Sequence, residues 1–213
     1  MRYDPEKHHR RSVRLKGYDY TQPGAYFITI CTHNRQCLFG KVEDGKMRLN
    51  MFGEIVWAEW FRTAQIRPYV QLNESEFVVM PNHVHGIIWI VNSPTHDADT
   101  VGARRRRAPT MVEQFGKPVP GSLPTLVRAF KSAVTRRINQ MRNTPGVPVW
   151  QRNYYEHIIR TERALNVIRR YIVENPLRWH LDRYNANATG TDPLARDVWR
   201  IISADIYTTR EQE

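Results

Sequence analysis

Phe77-Val-Val-Met-Pro-Asn-His-Val-His-Gly-Ile-Ile-Trp89 is the stretch on which the fold turns. Two β-rich runs, Glu76 to Met80 and Val84 to Val91, are separated by Pro81-Asn82, the signature of a hairpin. Inside it stands His83-Val84-His85. On a strand, residues i and i+2 share a face, so both imidazoles project together and Val84 points the opposite way, into the core. Two imidazoles can share one divalent ion and leave room for a third protein ligand, water and substrate. A His-x-His pair on a solvated strand face is also common, but this one opens a very apolar run, where polar side chains need partners.

Outward from the hairpin, strand and helix patterns alternate. Upstream, Ala25 to Thr32 is rich in aromatic and β-branched residues and follows a Pro23-Gly24 turn, which predicts a buried strand. Val42 to Leu49 contains Glu43-Asp44-Gly45-Lys46 and predicts a short hairpin. Phe52, Ile55, Val56 and Trp60 recur at helical spacing, so Phe52 to Ala64 reads as a helix ending before Pro68. Downstream, Leu126, Val127, Phe130, Val134, Ile138 and Met141 form one stripe of a helix over Leu123 to Arg142. Trp150 to Ile159 reads as a strand, and Thr161-Glu162 caps a helix that runs to Glu174 and stops at Asn175-Pro176. The pattern predicts an α+β fold, an antiparallel sheet with helices packed on it. Residues 1–20 read as a basic arm, 21–183 as the domain, 93–120 as a flexible Arg-rich insertion and 184–213 as a C-terminal tail.

The 213 residues carry 32 Lys+Arg against 21 Asp+Glu, a formal charge of +11 that favours a polyanionic partner. The excess is clustered: residues 101–150 hold ten Lys/Arg and one acid, Glu113, whereas 51–100 hold two and six. The consecutive Arg104, Arg105, Arg106 and Arg107, with the helix residues Arg128, Lys131, Arg136 and Arg137, are the candidate phosphate contacts. Two cysteines, Cys31 and Cys37, exclude a disulfide scaffold and fit a reducing compartment. The basic N-terminus has no apolar run, and no stretch approaches the roughly 20 apolar residues of a membrane span. A cytoplasmic, nucleoid-associated protein is the expectation.

A second pair is Tyr171 and Asn175. On a helix, i and i+4 lie on one face, so the phenol and the amide oxygen, a hard ligand suited to Mg2+ or Mn2+, face one point. Taken alone, the favoured reading of both is structural: a packing tyrosine and a helix-terminating asparagine before proline. Tyr154 and Tyr155 are rivals, but their i+4 partners, Ile158 and Ile159, cannot bind metal.

The stretch Phe77 to Trp89 resembles the HUH signature region of the REP-associated tyrosine transposases, a single-tyrosine HUH family. Trp150-Gln-Arg-Asn-Tyr-Tyr-Glu-His-Ile-Ile-Arg160, Tyr171-Ile-Val-Glu-Asn-Pro176 and Arg14-Leu-Lys-Gly-Tyr-Asp-Tyr20 resemble it too. The resemblance spans roughly residues 10–183. It implies a ferredoxin-like HUH fold, metal ligation by His83, His85 and Asn175, and Tyr171 as nucleophile. It also implies a covalent 5′-phosphotyrosine link that frees a 3′ hydroxyl, on single-stranded DNA with palindromic, hairpin-forming repeats. Two other readings stand beside it: a metal-dependent nuclease in which water attacks, and a non-catalytic nucleic-acid-binding module. The sequence leaves monomer and homodimer both open.

Overall fold

Seven strands and four α-helices are seen in a computed structural model that describes residues 18–91 and 119–208. The first strand, β1 (Gly24–Cys31), is buried from Ala25 to its end, so it must be covered on both faces. It pairs antiparallel with β6 (His83–Ile90) on one side and with β7 (Tyr155–Ile159) on the other. The far edge of β6 is shared by β5 (Phe77–Met80) and the two-residue β4 (Val70–Gln71), giving a five-stranded sheet. The hairpin of β2 (Gly40–Glu43) and β3 (Lys46–Leu49) stands apart from it. Its turn, Asp44-Gly45, has φ of 50° and 69°, the left-handed pair that a two-residue hairpin loop requires.

With α1 (Met51–Gln65) after β1 and α2 (Leu123–Met141) after β6, the chain runs β1-α1-β5-β6-α2-β7. The spatial order is β5-β6-β1-β7, all antiparallel. This is the ferredoxin-like arrangement, an α+β fold, as the pattern of elements predicts.

Strand alternation sorts the sheet's side chains into two cores. Tyr26, Ile28, Ile30, Val84 and Ile88 face α1 and α2. On the opposite face Ala25, Phe27 and Ile87 meet α3 (Glu162–Glu174) and α4 (Pro193–Thr208) through Leu165, Ile168, Ile172, Val198 and Ile202. The segment after 183, read from sequence as a tail, thus contributes a helix to the second core. Residues 1–17, 92–118 and 209–213 lie outside the described residues. With them go most of the arm, nearly all of the insertion, and the candidate phosphate contacts Arg104, Arg105, Arg106 and Arg107.

Local signals start the helices where they start. The Asn50 side chain accepts from the backbone N–H groups of Phe52 and Gly53, both at 3.0 Å, and Thr161 Oγ1 accepts from Ala164 N–H at 3.2 Å. At Gly86 the Trp60 ring of α1, stacked 4.2 Å from Phe77, lies against the backbone of β6. A Cβ there would come within 2.6 Å of the indole, so the residue after the histidine pair has room for a hydrogen alone.

Candidate functional site

His83 and His85 project from β6 toward α3, while Val84 enters the core under α1 and α2, as alternation requires. Their rings lie 4.6 Å apart. Each is oriented by a neighbour at Nδ1. The Asn82 amide nitrogen donates to the carbonyls of Arg35 (3.1 Å) and Tyr184 (2.7 Å), which turns Asn82 Oδ1 toward His83 Nδ1 at 2.9 Å. That oxygen accepts, so Nδ1 carries the hydrogen and Nε2 presents a lone pair. His85 Nδ1 meets Thr29 Oγ1 at 2.8 Å, from the residue opposite it on β1.

Both Nε2 atoms are buried and without a hydrogen-bond partner. Burial drives the His83 imidazole down to about 3 and His85 well below its ordinary value, so both are neutral, the form that binds metal. Opposite them Asp182 puts Oδ2 at 3.8 Å from His83 Nε2, and one ligand atom from each of the three residues lies within 4.8 Å of the others. A bridging ion with bonds of about 2.1 Å fits such a spacing. Asp182 is 4% exposed, and its other oxygen accepts from Tyr184 N–H at 2.6 Å. Burial raises its carboxyl above the usual range. His83, His85 and Asp182 form a group that could hold a metal ion. Asp182 has no counterpart in the sequence reading, since the segment around it has no recognisable spacing.

Asn175 closes the site from the end of α3. It is 1% exposed and lies beside His83, Tyr171 and Asp182, yet neither amide atom makes a well-formed hydrogen bond. An unsatisfied buried amide costs about 1–3 kcal/mol, and a ligand taken up by its oxygen removes part of that cost. The donors are two neutral imidazoles, a carboxylate and an amide. This mixed nitrogen and oxygen set fits a divalent cation.

Tyr171, one helical turn before Asn175, is 4% exposed, with its ring 5.0 Å from His85 and 6.4 Å from Phe27. Burial, then the charge of Asp182, raises its phenol well above the ordinary value. The structure thus brings together His83, His85, Tyr171 and Asn175, the four residues singled out around the metal. Of the rival tyrosines, Tyr154 packs on the α1/α2 core, whereas Tyr155 shares the sheet face of His85, 6.3 Å from the Phe27 ring, and stacks edge-on with Trp199 at 4.7 Å. A tyrosine that the sequence reading passed over does reach the site. The ring of Tyr184 sits 4.7 Å from His83 and 6.2 Å from His85.

The basic residues of α2 divide between two places. Arg128, Lys131 and Arg136 line a groove of about 930 Å3 between α2 and the loop 143–152. Arg137 instead pairs with the buried Glu59 at 2.8 Å. The other four candidate contacts, Arg104, Arg105, Arg106 and Arg107, fall outside the described residues, so the structure relates none of them to this groove.

The chain is 41% identical over 182 residues to an uncharacterized protein of Haemophilus influenzae, across 85% of this chain and 96% of the relative. It belongs to the family of that protein. No family model matches. Among solved structures, it is similar to a REP-associated tyrosine transposase bound to a REP hairpin, with 19% identity, 80% of this chain and 72% of that chain covered, and a TM-score of 0.45. It is also similar to a candidate transposase from Deinococcus radiodurans, with 21% identity, 76% and 98% coverage, and a TM-score of 0.37.

Proposed function

We propose that the protein is a DNA strand transferase of the single-tyrosine HUH type, which cuts and rejoins single-stranded, hairpin-forming DNA through a covalent 5′-phosphotyrosine. The observation that carries this reading is the meeting of His83, His85 and Asn175, whose inward-facing side-chain atoms have no hydrogen-bond partner, with Asp182 beside the phenol of Tyr171.

His83, His85, Asp182 and Asn175 would hold a divalent ion, which would supply positive charge to polarise a phosphodiester oxygen and to offset the field of Asp182 at the phenol. Tyr171 is the nucleophile. Its oxygen forms a bond to phosphorus while the bond from phosphorus to the 3′ oxygen breaks, and the proton given up by the phenol is matched by the one gained by the departing 3′ hydroxyl. One phosphodiester replaces another, so the step is reversible and needs no nucleotide cofactor. Closed packing by Phe27, His85 and Asn175 holds the phenol in one place, which favours attack at a positioned phosphorus. The groove of Arg128, Lys131 and Arg136 supplies phosphate contacts for the strand.

The test is incubation with single-stranded hairpin DNA and Mg2+ or Mn2+, followed by a denaturing gel and peptide mapping of any protein–DNA adduct. An adduct on Tyr171 is the expected result. An adduct on Tyr184 would keep the enzyme class and move the nucleophile. Nicking without any adduct would make water the nucleophile and the protein a nuclease. Metal-independent binding with no cleavage would leave a binding module.

A further inference from the structure

Two guanidinium groups flank the site without a role in the chemistry above. Arg35 Cζ lies 5.5 Å from the ring centre of Tyr184 and Arg183 Cζ lies 5.4 Å from it, so both are held on the aromatic surface that covers His83 and His85. Arg183 also lies 5.4 Å from the ring of Trp199 on α4. Both arginines are exposed, and among the described residues neither has a carboxylate partner.

The backbones of Arg35 and of Tyr184, the ring on which both arginines rest, are tied to the histidine pair through a single side chain. Asn82 donates to the carbonyl of Arg35 and to that of Tyr184, and its oxygen orients His83. Thr32 Oγ1 in turn donates to the carbonyl of Asn82 and lies 2.8 Å from that of Gln36. Arg35 is fixed in a left-handed conformation, φ 55°, which a non-glycine residue adopts at a cost and keeps where its surroundings dictate it. The positive groups converge on the end of β1: Arg35, Arg183 and Lys131 all act on Cys31, the residue paired with His83. Asp182 is the acid set among them. A carboxylate neutralised by metal leaves this mouth strongly cationic.

We propose that Arg35 and Arg183, both braced on Tyr184, whose backbone Asn82 ties to His83, form a paired seat for the phosphates that flank the bond being cut, in a single-stranded nucleic acid. The inference rests on the strand-transferase reading for the identity of the bond, but the seat itself is a binding site with its own readout. Planar forks suit phosphate oxygens, and their stacking on one ring keeps them ordered before the strand arrives. Arg35 and Arg183 are positioning residues, and no proton or bond passes through them.

The experiment compares wild type, Arg35→Gln, Arg183→Gln, the double Gln variant and the double Lys variant, each as the full chain loaded with Mn2+. The probe is a labelled single-stranded oligonucleotide with one palindromic hairpin, and Mn2+ affinity and thermal melting are followed alongside. In the double Gln variant KM is expected to rise tenfold or more while kcat changes far less, with Mn2+ affinity and melting kept. The slope of log K against log salt should shrink by about 0.7 for each arginine removed from a single strand. The double Lys variant should restore the slope, because it restores the charge. An unchanged slope and KM in the double Gln variant would overturn the seat. A joint loss of Mn2+ affinity and melting temperature, repaired by neither Lys nor added oligonucleotide, would also overturn it and make the pair a structural cover for the metal. Failure of wild type to nick sinks the transferase reading alone, since oligonucleotide binding by the metal-loaded protein still decides the seat.

Discussion

Tyr171 is a phenol without easy access to water, and that sets what its removal should do. Tyr171→Phe takes away one oxygen and leaves the ring packed on His85 and Phe27. The variant should fold, bind Mn2+ and hold hairpin DNA with nearly wild-type affinity, yet give no adduct and no nick on a denaturing gel. Persistent nicking would remove Tyr171 from the reaction. Lys131 offers a second test at this scale. Burial lowers its ammonium to about 8, although Nζ donates to the carbonyls of Gln151 and Arg152 at 2.7 and 3.1 Å. Its folded value lies below the unfolded 10.5, so between about 8 and 10.5 the unfolded chain holds more protons and stability rises with pH across that window. The charge offered to a strand in the groove is therefore nearly full at pH 7 and mostly lost by about pH 9. Oligonucleotide affinity at fixed salt should fall over that interval in wild type and stay flatter in Lys131→Met. Parallel curves for the two proteins would show that Lys131 makes no phosphate contact.

At the scale of elements, the question is what holds α3 in register with β6. Glu76, 1% exposed, accepts from Trp89 Nε1 at 2.7 Å, from Asn73 at 2.8 Å, and from Arg169 Nε at 2.8 Å. Arg169 stands two residues before Tyr171, so this buried carboxylate joins the hairpin that carries the histidines to the helix that carries the phenol. Glu76→Gln keeps the shape and removes the charge, and should destabilise the protein by about 1–3 kcal/mol in urea unfolding with an unchanged m-value. A variant as stable as wild type would mean that apolar packing alone sets the helix. Elements were also the most legible level of the sequence. The β5–β6 hairpin, β1, α1, α2 and α3 lie where local period and capping residues place them, because those signals need no distant partner. The strand expected from Trp150 begins at Tyr155, since the carbonyls of Gln151 and Arg152 go to Lys131 instead of a ladder. Helix α4 left a faint trace because its stripe, Leu194, Val198 and Ile202, is diluted by charged neighbours. Of the site, spacing put His83 with His85 and Tyr171 with Asn175 on common faces, but taken alone it favoured a structural reading of the second pair, and the family resemblance is what joined the two. Asp182 and Tyr184 were not readable, because tertiary contact with a strand about a hundred residues away is what brings them to the histidines.

Taken whole, the molecule divides its positive charge. One part lies on α2 and at the mouth of the site, and another is the run of Arg104, Arg105, Arg106 and Arg107 in a segment outside the described residues. If that run contacts phosphates, replacing its four arginines with Gln should reduce the salt dependence of hairpin-DNA binding while leaving nicking of a saturating substrate intact. An unchanged salt slope would assign the run to another purpose.

The two faces of the sheet are covered by segments made at different times. α1 and α2 are both complete by residue 141, but the face bearing Phe27, Ile87 and the histidines waits for α3 and α4, from residue 162 onward. A ribosome adding about 5–20 residues per second needs several seconds to travel from the end of β6 to the end of α3. During that interval an emerging chain presents an uncovered apolar sheet with two bare imidazoles. Nascent chains stalled before residue 162 should therefore be captured by holdase chaperones and stain with hydrophobic dyes, and chains released after residue 208 should not.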